Sequence, residues 1–432
     1  MNNFQTILVA VFLAFFVFAV LIFSGILKIG DKGSSSQAPV GRVVIWGTLK
    51  RTPELSKVFE DAAETNQDLI INYEEKSEED YAQDLIEAFA SDKGPDLFII
   101  TPDLVQKFSS FMYKVPYANY AEKVYKDTYI DGADVFLNKE GVLGFPLAVD
   151  PMVLYYNKDL FSNEGLVSPP QYWNDLHNLN GILTKKKDDG TILQSMISLG
   201  RYDNINNSKD ILATLLLQNG NNIISTTETG YTSVLNDTDS TLIGEKIFDF
   251  FIKFSNPSDD LYSWNRSLPN SLDMFTSGKL AMYPGLASEL FKIEATNPNL
   301  SFDVTEMLQT KESKFKRTYG NIYAIAINKK SLNIPASFGV SVLMSNGDMA
   351  KDLSVALSLP PASRALLKDK PANPYLFTFF NSSIVTRTWL DPDKKESDKI
   401  FTELMQNILS NRLTISEALD KAHGQLDFIN IK

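Results

Sequence analysis

The side chains able to do chemistry are few in kind. Only two histidines occur in the 432 residues, His177 and His423, far apart in the chain, and there is no cysteine. Thiol nucleophiles, disulfides and cysteine-ligated metals are therefore excluded. A Ser-His-Asp arrangement could draw on at most one histidine. No G-x-S-x-G segment is present. Ser313 and Lys316 form a Ser-x-x-Lys, but inside the charged stretch Lys311–Arg317, where chance explains it. No Asp-x-Asp-x-Asp-Gly loop suggests calcium, no glycine-rich phosphate loop occurs, and no cofactor is expected. What remains in quantity is 53 acidic side chains against 41 basic ones, a net charge of −12, together with 28 Phe, 17 Tyr and 4 Trp. The acidic excess argues against a nucleic-acid partner. Paired carboxylates can cut glycosides, yet with acids this abundant some pairing follows from number alone. The aromatic content suffices for packed cores plus an aromatic-lined site.

The elements that would position such residues start at Val43–Trp46, a short apolar run read as a buried strand. Thr52 and Pro53 then read as N-cap and first helical position, with Leu55, Val58, Phe59 and Ala62 at helical spacing. Leu69–Tyr73 is a second strand. Ser77 and Asp80 resemble a capping box before the stripe Tyr81, Leu85, Ala88 and Phe89. Leu97–Ile100 is a third strand, and Thr101-Pro102 repeats the N-cap pattern. This βαβαβ order predicts a parallel sheet with right-handed crossovers. No G-x-G-x-x-G follows the first strand, so a dinucleotide site has no support. Ligands of open α/β sheets nonetheless bind beyond the carboxyl ends of strands, which here means Thr48 after the first strand and Asp103 after the third. Later, Leu280–Tyr283 and Tyr323–Ile327 read as strands, Ile400, Leu404 and Ile408 as a helix face, and Thr414 with Glu417 as a capping box.

The N-terminus has a different character. No charged side chain occurs from Met1 to Leu27, and residues 7–26 are almost wholly apolar. Twenty residues at a 1.5 Å rise match a hydrocarbon core of roughly 30 Å. Residues 1–27 are thus read as a transmembrane anchor held in the lipid bilayer, and residues 28–42 as a flexible tether. Lys28 and Lys32, read by the positive-inside rule, would put the body in the cytoplasm; the resemblance below points outward.

Six blocks in order resemble the extracytoplasmic solute-binding proteins of ABC importers, in the group that contains maltose-binding protein. They are the opening strand with its helix; Gly94-Pro95-Asp96-Leu97-Phe98; Gly144–Asp150 running into Leu154–Phe161; Pro169–Leu176; Phe275–Met282; and Asn411–Leu419. The resemblance implies a two-lobed α/β periplasmic-binding-protein fold of type II, preceded here by the transmembrane helix. It implies a first lobe of residues 43–149 plus 303–328 and a second of 150–302 plus 329–432, closing on a ligand by hinge motion. It implies a non-enzyme that captures a small solute, expected to be a carbohydrate, and delivers it to ABC permease subunits, with the body extracytoplasmic.

By the same resemblance, Asp150 contacts the ligand at the lobe crossing, with a structural hinge role as the alternative. Asp103 matches a ligand-binding aspartate, against the role of a helix first-turn acid. Trp264, in a polar loop, and Trp389 are candidate stacking platforms for sugar C–H faces. Trp46 can point either way at its strand end. Asn204 and Asn206 face the cleft or cap a helix. Tyr283 stands in for one of two missing Trp platforms: Ile100 and Thr101 precede Asp103, and Tyr283-Pro284-Gly285 follows Ala281-Met282. These departures count against a malto-oligosaccharide. Trp173 is assigned to the core. A ligand sensor or scaffold on the same fold, or a glycoside hydrolase, are the competing functions.

Overall fold

The computed structural model describes residues 41–66, 69–228, 230–236, 241–369 and 371–430. The expected anchor, and the tether up to residue 40, lie outside the described residues. Gly41 and Arg42, assigned to the tether, instead open the first strand. Among the described residues no helix is long and apolar enough to cross a membrane.

The first strand, β1 (Gly41–Gly47), buries Val43 and Ile45 on one face, as its alternation requires. It pairs in parallel with β2 (Leu69–Glu75) and β3 (Leu97–Ile100). Helix α1 (Pro53–Thr65) joins the first two; Thr52 caps it by accepting from the Leu55 amide at 3.2 Å, and Leu55, Val58 and Phe59 face the core. Helix α2 (Tyr81–Ala90) joins β2 to β3, with Tyr81, Leu85, Ala88 and Phe89 buried as spaced. The expected capping box before it does not form. Asp80 precedes the helix with helical backbone angles and makes no cap bond. Helix α3 (Pro102–Phe108) follows β3 directly.

The long strand β4 (Phe145–Asn157) carries the chain out of this first half. Two short segments, β5 (Lys185–Lys186) and β6 (Ile192–Ile197), and a hairpin of β7 (Ile224–Thr226) and β8 (Tyr231–Ser233) follow, with helix α4 (Ser208–Gln218) between them. Strands β9 (Leu280–Leu286) and β10 (Phe302–Glu306) both pair antiparallel with the distal part of β4, from Met152 to Asn157. Strand β11 (Thr318–Ile327) then returns, pairing with β4 from Pro151 back to Phe145 and with β3 through Ala324–Ile327. The resulting order is β2-β1-β3-β11-β4-β9-β6-β5, so β4 and β11 are the strands shared by the two halves.

Two assignments from the sequence shift. The β10 segment, placed in the first lobe, pairs with the distal end of β4 and so belongs with the second. Helices α5 (Ile334–Ser345) and α6 (Asp348–Leu357), placed in the second lobe, pack on β1, β4 and β11 and on α1 respectively, extending the first half. The chain crosses back only afterwards: the helix Pro374–Ile384 packs on β4 and β10, and β12 (Thr386–Arg387), which follows it, pairs with β11. Helix α7 (Lys394–Leu409) and helix α8 (Ile415–Asn430) then close the second half. The Thr414–Glu417 capping box at the start of α8 is formed, with the Thr414 amide donating to Glu417 at 2.9 Å and the Glu417 amide to the Thr414 hydroxyl at 3.2 Å. Register between β4 and β11 could not be read from either strand alone, because long-range pairing leaves no local sequence pattern.

Candidate functional site

A cleft of about 1020 Å³ lies where the two halves face each other. Thr48, Glu78, Tyr81, Thr101 and Asp103 line it from the first half; Tyr202, Asn207, Lys209, Asp210, Lys394 and Asp398 line it from the second; Asn321 and Tyr323 line it from β11. Helices α2, α3, α4 and α7 all begin at its rim. Each brings the positive end of its backbone dipole there, where negative or hydrogen-bond-accepting groups are favoured. Asp103 and Asp210 occupy the first turns of α3 and α4.

Both carboxylates are held in an environment that resists their charge. Burial pushes Asp210 up to about 6, with Lys209 and Lys394 opposing the shift. No hydrogen-bond donor among the described residues reaches its carboxylate. Burial likewise raises Asp103, against the Thr101 hydroxyl that donates to it and the nearby Lys394. Asn321 and Tyr323 flank the buried Ile322 on β11, so the period of two sends both to the cleft face. The Asn321 side-chain oxygen accepts from the Tyr319 hydroxyl at 3.1 Å; its amide nitrogen and the Tyr323 hydroxyl are uncommitted among the described residues. Burial raises Tyr323, keeping its hydroxyl protonated as a donor. Tyr202 donates to Asp398 at 2.6 Å.

Three of the cleft's lysines are already paired. Lys107 reaches Asp393 at 3.3 Å and Lys394 reaches Glu78 at 3.2 Å, and both pairs join the halves across the cleft. Lys209 is spent on Asp391 at 2.9 Å, the Ser397 hydroxyl at 2.9 Å and the Lys394 carbonyl at 3.2 Å. The cleft therefore offers the Asp103 and Asp210 carboxylates as acceptors beside the Asn321 amide nitrogen and the Tyr323 hydroxyl as donors. Such a cleft can take hydroxyl donors. It holds no histidine or thiol to serve as a base or nucleophile. Among the described residues no group of three or more potential ligands could hold a metal ion.

The structure brings Thr48 and Asp103 to this cleft together. The other seven residues singled out from sequence as site candidates do not line it. Trp264 is fully buried, and its indole nitrogen donates to the Asn204 side-chain oxygen at 3.0 Å. Asn204 spends its amide nitrogen on the Asn265 and Leu268 carbonyls. Their polar-sounding loop is therefore a packed corner beneath the 200–207 segment, and neither side chain is free for a ligand. Asn206 caps the Ser271 turn by accepting from the Leu272 amide at 3.1 Å. Asp150 is 1% exposed and accepts from the Ser288 amide at 2.9 Å; burial pushes it up to about 7. Tyr283 is buried against Phe275, and its hydroxyl donates to Glu289 at 2.9 Å. Trp389 is buried against Phe401. Trp46 is half-buried with the Lys76 ammonium 3.7 Å above its ring. Aromatic type in a loop-like sequence signalled core packing here rather than a platform.

The residues that sequence reasoning missed are Tyr202, Asn207, Asp210, Asn321, Tyr323 and Asp398. Asn321 and Tyr323 carried a usable signal, since they alternate with an apolar residue in a recognised strand. Trp173 is in the core, as assigned, with its indole nitrogen donating to Gln218 at 2.8 Å.

A sequence profile for bacterial extracellular solute-binding proteins matches residues 46–342. No curated protein matches the chain at a significant level. Solved structures do match in fold. A cyclo/maltodextrin-binding protein complexed with maltotetraose aligns over 93% of this chain and 98% of its own, with a TM-score of 0.72 at 13% identity. A cyclic α-maltosyl-1,6-maltose binding protein from Arthrobacter globiformis aligns over 90% and 99%, with a TM-score of 0.72 at 15% identity. An ABC substrate-binding protein from Listeria monocytogenes in complex with cycloalternan aligns over 90% and 98%, with a TM-score of 0.66 at 17% identity. The chain belongs to the bacterial extracellular solute-binding protein family, and its two-lobed α/β architecture is that of these binding proteins.

Proposed function

We propose that this family member captures a carbohydrate in the cleft between its halves and passes it intact to an ABC permease. The observation that carries this reading is the set of polar groups gathered in one cleft from both halves: the carboxylates of Asp103 and Asp210, the Asn321 amide nitrogen and the Tyr323 hydroxyl. Sugar hydroxyls are donors that such carboxylates take in charge-assisted hydrogen bonds. The fold relatives solved with saccharides support the same class of ligand. Few exposed aromatic faces line the cleft, which favours a ligand held by its hydroxyls over one held by extended stacking.

Ligand capture shifts the protein toward a closed state by differential affinity, with β4 and β11 as the crossing segments. No bond of the ligand is broken; ATP hydrolysis belongs to the transporter's own subunits. Residues 7–26 anchor the protein in the bilayer and residues 28–40 hold the body off its outer surface.

A thermal-shift screen of the purified protein against neutral oligosaccharides, sugar phosphates, polyols and peptides tests the reading. A specific saccharide at 100 times its dissociation constant stabilises the folded state by about 2.7 kcal/mol. A shift from peptides alone, or from none of these, would overturn the carbohydrate assignment. Carbonate extraction of membranes tests the anchor: the protein stays in the pellet if residues 7–26 span the bilayer and is released if they do not.

A further inference from the structure

Asn207 stands directly before α4 with a left-handed backbone, φ 59°, and its side chain makes no bond to the helix it precedes. It turns instead to Glu289 and Tyr283, within the same half. Its amide nitrogen donates to Glu289 Oε2 at 2.8 Å and lies 3.4 Å from the Tyr283 hydroxyl. A carboxylate only accepts, so the nitrogen of the Asn207 amide must face Glu289. The Asn207 oxygen is then left on the other side, and among the described residues it has no partner.

Glu289 is itself held from several directions. Its Oε2 also accepts from the Leu286 amide at 2.9 Å and its Oε1 from the Tyr283 hydroxyl at 2.9 Å. Gly285 leaves it room: a Cβ there would sit 2.6 Å from Oε2 and 2.6 Å from the Tyr283 ring. The turn that carries Glu289 is fastened to the crossing strand β4 by Asp150, which accepts from the Ser288 amide at 2.9 Å. Tyr155, also on β4, adds a hydroxyl that donates to the Leu286 carbonyl at 2.8 Å.

We infer that Glu289 is a positioning residue for ligand selection: it fixes Asn207 with its carbonyl oxygen toward the cleft, so that Asn207, Asp210 and Asp103 together present acceptors to a ligand that brings hydroxyl donors. This rests on the binding reading given above and adds the residue that sets the polarity of the cleft's second wall. Asp150 and Tyr283 enter the site through Glu289 and not through the ligand.

The test compares Glu289→Ala with Glu289→Gln, which keeps an oxygen for Asn207. Two readouts are taken. The first needs no ligand: the side-chain amide correlation of Asn207 in ¹H–¹⁵N spectra, assigned by its loss in Asn207→Asp. Its proton facing Glu289 lies downfield in the wild type and in Glu289→Gln and returns to the position of a solvated amide in Glu289→Ala. The second is affinity for the tightest binder among maltotetraose, cycloalternan and cyclic α-maltosyl-1,6-maltose. Glu289→Ala weakens it at least tenfold and Glu289→Gln restores it to within threefold. Should Glu289→Ala not fold, Asn207→Ala carries the affinity arm, because it removes the acceptor while leaving Glu289 with Leu286 and Tyr283; the same tenfold loss is expected. An Asn207 amide signal unchanged in Glu289→Ala, or affinity unchanged in either alanine variant, overturns the inference. If none of the three saccharides binds, the tightest saccharide of the thermal-shift screen takes their place; if that screen yields none, the carbohydrate reading fails, and the amide signal alone decides whether Glu289 orients Asn207.

Discussion

The ammonium of Lys209 lies 2.9 Å from the carboxylate of Asp391, with side chains only 10% and 9% exposed. The pair ties the first turn of α4 to the segment entering α7, so two helix starts on the cleft wall are held in one register. Ser397 adds a hydroxyl donating to the same carboxylate at 2.7 Å. Removing one partner leaves the other charge buried without an opposite charge, held only by its remaining hydrogen bonds.

Lys209→Ala or Asp391→Ala alone is therefore expected to cost about 3–5 kcal/mol of folding stability. The double variant Lys209→Met/Asp391→Leu is expected to lose less than either single change, because the desolvation penalty goes with both charges. Urea unfolding of the three variants checks this. Equal or greater loss in the double variant would show that the pair contributes net attraction.

Asp150 gives the chain a pH dependence with a definite sign. Burial pushes its folded-state pKa up to about 7, above the roughly 3.9 of an unfolded aspartate. The proton on Asp150 favours the folded state, so this contribution is fully present below about pH 4 and is lost as pH rises through about 7. Asp150→Asn keeps an oxygen for the Ser288 amide and has nothing to ionise. Its melting temperature is expected to exceed that of the wild type by more at pH 8 than at pH 5. Parallel curves across that range would place the titration elsewhere.

Trp264 is a structural residue on this account. Trp264→Ala empties a fully buried site and strands the Asn204 oxygen, and about 3–5 kcal/mol of stability should be lost. Chemical denaturation reads the loss directly. A near-normal midpoint combined with weakened saccharide binding would restore the stacking role that its sequence context suggested.

Ligand affinity should rise with pH through about 6 and then level off. Asp210 has a ligand-free value near 6, and accepting a hydroxyl from the sugar stabilises its charged form, so binding and proton release are coupled. Asp210→Asn is expected to flatten this profile and to weaken binding at pH 8 by roughly 10–100-fold, the worth of a charge-assisted hydrogen bond. Titrations between pH 5 and 8 check both. A profile that keeps its slope in Asp210→Asn would assign the titration to another group.

Local patterns were legible and distant juxtapositions were not. Thr52 with Pro53, the stripe of Leu55, Val58 and Phe59, and the three opening strands all express constraints within a turn or two of chain, and they fold as read. Asp103 was found because position after a parallel strand is itself a topological rule. Asp150 opposite Asn321, or Glu289 against Asn207, brings together residues 171 and 82 positions apart, and nothing local marks such meetings. Trp264 and Tyr283 misled for a related reason. Trp264 stands among polar neighbours and Tyr283 at a position where the resemblance expects a platform, yet both are buried, and the distant Asn204 and nearby Glu289 turn inward to satisfy the indole and phenol.

The most direct measurement is a calorimetric titration of the purified protein with neutral oligosaccharides, followed by chromatography of the recovered sugar. The account predicts that at least one binds saturably at one site per chain, that Asp103→Ala and Asp210→Ala each abolish or strongly weaken that binding without unfolding the protein, and that the sugar comes back uncut. Binding indifferent to both aspartates, or a saccharide recovered in pieces, would contradict it.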